Sequence, residues 1–331
     1  MKRIVFVGLF LLYGLCAVQA DDLQQEHTIQ GRAQGTTYMV KYYSNKQIHQ
    51  SDIDSLLNII DVSMSLYRDS SLIKQFNKEH IMSIRMDEHM RKVVRESFAI
   101  HKLSKGYFDI TVFPLIELWG FGPNGFTKVP SEGQIDSLKQ IIGMDKLYIE
   151  GDMLRKTDPH VRIDLNGIAQ GYSVDFLCEY LSQQGIENYI VEIGGEVRTR
   201  GQKPGEAFKI MLDETNDVDP RYSKPILVLK DLAITTSSIR EKNYSVGTKT
   251  VSHHIDPRTG RPIQNKTVSV TVIAQTAMLA DALDNYFMYL DPVEAISLAE
   301  KIPSVEVCVY FNADKEIKVL HSSGFNKYLY H

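Results

Sequence analysis

Apolar residues recur along this chain with two periods. Short runs rich in β-branched and aromatic residues, or alternating apolar and polar positions, predict strands at residues 38–43, 161–165, 188–193, 208–212, 225–229, 233–236, 268–274 and 305–311. Spacings of three and four predict helices at 51–63, 88–104, 131–142, 167–184 and 278–290. In the first helix Ile53, Leu56, Leu57 and Ile60 share a face, and Ser51 is the expected N-cap. In the second, Met90, Val93, Val94, Phe98 and Leu103 are apolar, and Gly106 is the expected C-cap. Glu132 sits near the positive end of the third, after a loop at 121–125. The fourth presents Ile168, Tyr172, Val174, Leu177 and Leu181, and the strand after it turns at Gly194-Gly195. Strands mostly follow strands, and helices come in a few long pieces. The expected class is therefore α+β, not a doubly wound parallel sheet.

A length of 331 residues suits one large domain or two lobes. The net charge is −4 with dispersed basic residues, so the basic stripe of a nucleic-acid binder is absent. No repeat period indicates a solenoid. The first twenty residues read as a signal peptide: Lys2 and Arg3 are basic, 4–18 is apolar, and Val18-Gln19-Ala20 offers a cleavage site. The apolar run is shorter than the roughly 20 residues of a spanning helix. A mature chain of 21–331, exported to a periplasm, is expected. Cys16 raises the alternative of a lipid anchor at the inner membrane, but Leu15 stands where a lipobox wants a small residue. Cys178 and Cys308 are expected as buried free thiols, and no Cys/His cluster has zinc spacing.

Candidate chemistry gathers in Ser252-His253-His254-Ile255-Asp256-Pro257-Arg258-Thr259-Gly260. Asp-Pro disfavours helix and Thr-Gly makes a corner, so imidazole, carboxylate and guanidinium are presented from a loop. Asp281 and Asp284 follow on the last predicted helix. His and Arg near carboxylates suggest a metal-assisted reaction on a phosphate ester or anhydride. Taken singly, each residue has a plainer reading. Asp281 serves as a helix cap, Asp284 as a solvated carboxylate, and His253 as a structural hydrogen-bonder. Asp256 is expected to order the loop, and Arg258 to meet phosphate or solvent. Trp119 reads as core.

The loop also resembles the ApbE family, the FAD:protein FMN transferases. Four further blocks carry the resemblance in order: Tyr67-Arg68-Asp69-Ser70, Gly106-Tyr107-Phe108-Asp109-Ile110-Thr111-Val112, Asp164-Leu165-Asn166-Gly167-Ile168-Ala169-Gln170-Gly171-Tyr172 and Gly194-Gly195-Glu196. Ala280-Asp281-Ala282-Leu283 completes it, so nearly the whole mature chain is covered, from about residue 31 to 290. The resemblance implies layered sheets and helices in two lobes, with the active site in the cleft between them. It implies Mg²⁺-dependent transfer of FMN from FAD to a threonine hydroxyl of an exported or membrane protein, with AMP released. Subunits of the Nqr and Rnf complexes are the acceptors it suggests. It implies Asp281, Asn285 and the Gly167 carbonyl as metal ligands, with Asp284 as a further oxygen donor. Asp281 and Asn285 are four apart, so a helix puts both on one face. It implies His253 as the base. Gln34, Tyr67, Tyr107, Phe108, Asp109, Asp164, Gln170 and Ile255 fall at cofactor-binding positions, with Tyr67 stacking on the flavin. Departures are Asn285 for the usual Thr, Gln170 for Lys or Glu, Gln34 for Met, Ser238 for Gly and His254 for an aliphatic residue. Two alternatives stay open: hydrolysis of FAD to FMN and AMP, and an exported flavin binder without catalysis.

Overall fold

The computed structural model describes residues 24–122, 125, 128–212, 225–239, 243–246, 249–314 and 316–330. The segment 1–20 with Cys16 lies outside them, as do Pro123 and Asn124 of the expected loop. Its centre is an eight-stranded antiparallel sheet. The strands are β1 (Glu26–Ala33), β2 (Thr36–Tyr43), β3 (Asn188–Ile193), β4 (Glu196–Arg200), β5 (Ala233–Ser238), β6 (Thr267–Ala274), β7 (Glu306–Ala313) and β8 (Glu316–His321). Each pairs with the next in this order.

The local sequence explains the corners. Gln34 and Gly35 join β1 to β2 with φ of 53° and 79°, the paired left-handed residues of a two-residue hairpin turn. Gly194 and Gly195 join β3 to β4 with φ of 59° and 109°. A Cβ on Gly194 would lie 2.2 Å from Gln170 Nε2, so packing demands glycine there as much as backbone does. β6 is buried at every residue. Val270, Val272 and Ala274 face a core shared with the helices. Ile273 faces the other side, where the hairpin of Phe208–Met211 and Ile226–Leu229, with Phe325, closes over it. Burial on both faces is why β6 reads as an unbroken run of β-branched residues.

The helices are α1 (Gln50–Met64), α2 (Leu72–Phe76), α3 (Glu88–Leu103), α4 (Phe113–Leu118), α5 (Glu132–Lys139), α6 (Asn166–Gln183), α7 (Ala277–Phe287) and α8 (Pro292–Ala299). Five of them, α1, α3, α5, α6 and α7, were legible, with small shifts at the ends. α1 starts before Ser51, because the Asp52 carboxylate accepts the His49 N–H. Asp87 caps α3, and beyond its end Gly106, with φ of 88°, donates to the His101 carbonyl as a C-terminal turn should. Ser131 caps α5, which stops at Lys139 instead of 142. A three-stranded sheet of Ser83–Arg85, Met153–Lys156 and Leu147–Glu150 lies beside this helical region.

One expected strand does not form. Residues 161–165 belong to no strand. Val161, Ile163 and Leu165 are buried, which produces the strand-like pattern. The backbone groups go elsewhere: Ile163 exchanges hydrogen bonds with the Asn77 side chain, and Asp164 N–H donates to the Ile110 carbonyl. Cys178 and Cys308 are buried free thiols. Among the described residues no helix is long and apolar enough to cross a membrane.

Candidate active site

The site is built where α6 crosses α7. Gly171 makes the close approach feasible: a Cβ there would sit 2.3 Å from the Ala277 carbonyl oxygen and 2.8 Å from the Asp281 Cβ. Its N–H donates to Asp281 Oδ2 at 2.9 Å, across the helix pair. Asp175, one turn further along α6, accepts the Ala277 and Met278 N–H groups and pairs with Arg198 at 2.6 Å. Those two amides are donors that the start of a helix leaves without partners, so Asp175 fixes where α7 begins.

Asp281, Asp284 and Asn285 project from α7 toward the first turn of α6. Asp281 and Asp284 are 3% and 1% exposed. Asn285 Nδ2 lies 3.0 Å from the Asp281 carbonyl oxygen, 3.2 Å from Asp281 Oδ1, 3.2 Å from Asp284 Oδ1 and 3.5 Å from the Gly167 carbonyl oxygen. Gly167 has ψ of 17°, a kink that tilts its carbonyl off the helix axis. Four oxygens thus converge on an amide that carries two hydrogens. The excess of acceptors, two of them carboxylate, is the donor set a hard divalent cation takes. All four residues expected to hold a metal are here. Among the described residues no three His, Cys, Asp or Glu side chains form a ready cage. The set instead mixes carboxylate, amide and carbonyl oxygens, and turning the Asn285 amide would aim its oxygen inward as well.

Two neighbours were not assigned from the sequence. Ser237 Oγ donates to Asp284 Oδ1 at 3.0 Å. Glu196, from the Gly194-Gly195-Glu196 turn, accepts from Gln170 Nε2 at 2.5 Å. Burial, then the charges of Asp281 and Asp284, push its carboxyl well above the usual range. Glu196 therefore holds its proton more readily than an exposed carboxyl does. The signal for Glu196 was its place after two glycines, which lets a turn aim a carboxylate at α6. Gln170 also donates to the Ile193 carbonyl at 3.0 Å, and Gln34 donates to Ser173 Oγ at 2.8 Å. The β1–β2 turn, the Gly-Gly turn and α6 therefore meet on one side of the cluster.

The histidine loop lies at the far end of α7. Tyr289 donates to the Ile255 carbonyl at 3.1 Å. The Asp256 carbonyl and Oδ1 take the N–H groups of Thr259, Gly260 and Arg258, and Trp119 Nε1 donates to the Gly260 carbonyl at 2.8 Å. Trp119 is core, as expected, and also anchors this turn. The Arg258 side chain is 47% exposed. Its guanidinium grips Asp256 at 2.8 and 3.0 Å and lies 3.4 Å from the centroid of the Tyr107 ring. That covers one face of Tyr107, whose ring also meets Tyr286 and Tyr289. The Ile255 side chain is buried with Leu115 and Trp119, and the Phe108 ring is buried in the main core. Both residues are buried whole, at 2% and 8% exposed, and their carbonyls are taken by Tyr289 and His101, so neither presents a free group to the surface.

His253 meets Phe121 edge-on, at 6.2 Å between centroids, and lies tilted against His254, at 4.0 Å. His254 is 2% exposed, with Nδ1 3.0 Å from Ser252 Oγ and no hydrogen-bond partner for Nε2. Burial, and then His253, hold its pKa well below the ordinary 6.5. A base depressed in the folded state stays neutral while the unfolded chain takes up a proton, so stability present above the unfolded pKa is lost as pH falls. Melting temperature is expected to drop as pH goes from about 7.5 to 5, and His254→Leu is expected to flatten that slope by about 1–2 kcal/mol. Equal slopes in both proteins would refute this origin.

Tyr67 is 70% exposed and takes no part in the core. Partial burial and then the Asp164 charge raise its phenol pKa. Asp164 Oδ1 accepts the Asn166 N–H at 2.7 Å at the start of α6. Asp109 Oδ1 accepts from Thr111 N–H and Oγ1, so that oxygen is committed to its own turn.

The ApbE family model matches residues 34–309. A FAD:protein FMN transferase of Vibrio cholerae serotype O1 is 36% identical over 335 residues, covering 98% of each chain. One of Haemophilus influenzae is 30% identical, covering 99% of this chain and 98% of that one. Among solved structures, flavin transferase ApbE from Vibrio cholerae superposes with a TM-score of 0.84 at 36% identity, over 92% of this chain and 100% of that one. The apo form of Pseudomonas stutzeri flavinyl transferase ApbE gives 0.83 at 29% identity, over 92% and 97%.

Proposed function

From the chain's membership of the ApbE family, to which it belongs by sequence and by fold, we propose that this flavin transferase moves FMN from FAD to a threonine hydroxyl of a protein acceptor, releasing AMP. The observation that carries the reading is the convergence of the Asp281, Asp284 and Gly167 oxygens on Asn285. Asp281, Asp284, Asn285 and the Gly167 carbonyl would hold Mg²⁺. Bound there, the ion would supply positive charge to the pyrophosphate of FAD.

This chain's own groups do the remaining work. Tyr67 offers an open ring for the isoalloxazine, with Asp164 beside it and Gln170 and Gln34 lining the α6 side. His253 takes the proton from the threonine hydroxyl. That oxygen bonds to the phosphorus on the riboflavin side, and the bond from this phosphorus to the bridging oxygen breaks. AMP leaves with that oxygen. His254, buried and neutral, adds no second charge next to His253. The basic and apolar leader at 1–20 supports export, with the acceptor met outside the cytoplasm. Nqr and Rnf subunits are the first acceptors to try.

The test is mass spectrometry of a threonine-bearing acceptor incubated with the protein, FAD and Mg²⁺, with and without EDTA. An acceptor heavier by one FMN, absent with EDTA, is the expected result. AMP without a modified acceptor would instead identify a hydrolase. Flavin binding with neither product would identify a binder.

A further inference from the structure

Lys156 ends a strand of the small sheet and is 2% exposed, an unusual place for an ammonium group. Its Nζ, with three hydrogens to share, lies within hydrogen-bond distance of four backbone carbonyls: Pro159 at 2.9 Å, Val161 at 2.9 Å, Phe76 at 3.1 Å and Lys78 at 3.2 Å. It also lies 5.1 Å from the centroid of the Phe76 ring. Among the described residues no carboxylate pairs with it. The Phe76 and Lys78 carbonyls belong to the C-terminal end of α2, where partial negative charge gathers. The Pro159 and Val161 carbonyls belong to the unpaired segment that replaces the expected strand. Asn77 stitches the same two segments from the other side, donating to the Ile163 carbonyl and accepting the Ile163 N–H at 2.9 and 2.8 Å.

What these two segments carry is the point. One runs back through the Ser71 cap of α2, whose Oγ also donates to the Ser65 carbonyl, to Tyr67. The other runs forward to Asp164 and the first turn of α6. Neither segment is held by a strand ladder, so side chains must set the distance between them. We propose that Lys156, together with Asn77, is a positioning residue of the flavin site, fixing the segment that carries Asp164 against the one that carries Tyr67. This rests on the reading above that Tyr67 and Asp164 face the flavin. Burial depresses the Lys156 pKa, and the negative charges of Asp158 and Glu79 oppose that.

The test compares Lys156→Met, Asn77→Ala and Tyr67→Ala with the unaltered protein. Three quantities are read: fold by circular dichroism, FAD affinity by titration, and fluorescence of the bound flavin, which a stacked tyrosine quenches. Lys156→Met and Asn77→Ala are each expected to fold, to bind FAD roughly ten-fold more weakly or worse, and to leave the bound flavin brighter, because small misplacements of positioning groups have large effects. A purely structural role would lower the melting temperature and leave affinity and quenching of the folded protein unchanged, and that result overturns the proposal. If Lys156→Met does not fold, Asn77→Ala decides alone by the same two readouts. If Tyr67→Ala changes neither readout, the flavin-site reading falls and the proposal with it. If Tyr67→Ala changes both while the folded clamp variants change neither, the clamp alone is wrong.

Discussion

Asp281→Ala is expected to reduce FMN transfer by about 1,000-fold or more, since ligands that hold charge on a phosphoryl group supply several kcal/mol of transition-state stabilisation. No other residue of the cluster does as much. One carboxylate oxygen faces Asn285 and the other takes the Gly171 N–H, so Asp281 joins the oxygen set to the α6–α7 packing. The alanine variant also leaves Gly171 N–H without its acceptor, which is expected to cost about 1–3 kcal/mol of stability. Activity and folding are therefore read together, by turnover at saturating Mg²⁺ and by thermal melting below the lowered midpoint. Calorimetric Mg²⁺ titration separates the two effects, since a folded variant that no longer binds the ion isolates the ligand role. Full turnover by a folded variant would refute the metal assignment.

His253→Ala is expected to lower kcat by about 100- to 10,000-fold, the range that a positioned proton acceptor supplies. FAD affinity is expected to stay within a few-fold, because the ring packs against Phe121 and His254 in the histidine loop. That split between turnover and binding distinguishes a base from a residue that merely shapes the pocket. A kcat within a few-fold of the unaltered protein would remove His253 from the chemistry. A loss confined to FAD affinity would make it a binding residue instead.

Much of the fold was readable because burial imposes a period. α3, with Met90, Val93, Val94 and Ile100 inside, shows its face directly in the sequence. β6 shows its double burial as an unbroken β-branched run. The edge strand β1 was missed because it places only Ile29 in the core and joins the sheet through its backbone. Residues 161–165 misled for the opposite reason: three buried apolar side chains imitate a strand, while Asn77 and the 107–111 loop take the backbone bonds. Hydrophobic pattern reports where side chains go, and says little about which partner satisfies the main chain.

The sequence by itself determined the α+β class and, through motif blocks in a recognisable order, the resemblance to the family, which put Asp281, Asn285, Gly167 and His253 forward as candidates. It also determined that α7 would put Asp281 and Asn285 on one face, since that follows from helical geometry alone. Only the tertiary structure decided that Glu196 and Ser237 join them, that Arg258 is held by Asp256 and Tyr107, and that His254 is sealed from water. It alone placed Lys156 among four carbonyls drawn from two distant segments. The physical reason is range: periodicity and motif spacing act within a helix, strand or turn. Burial and the sharing of charge depend on which segments pack together, and no local pattern encodes that.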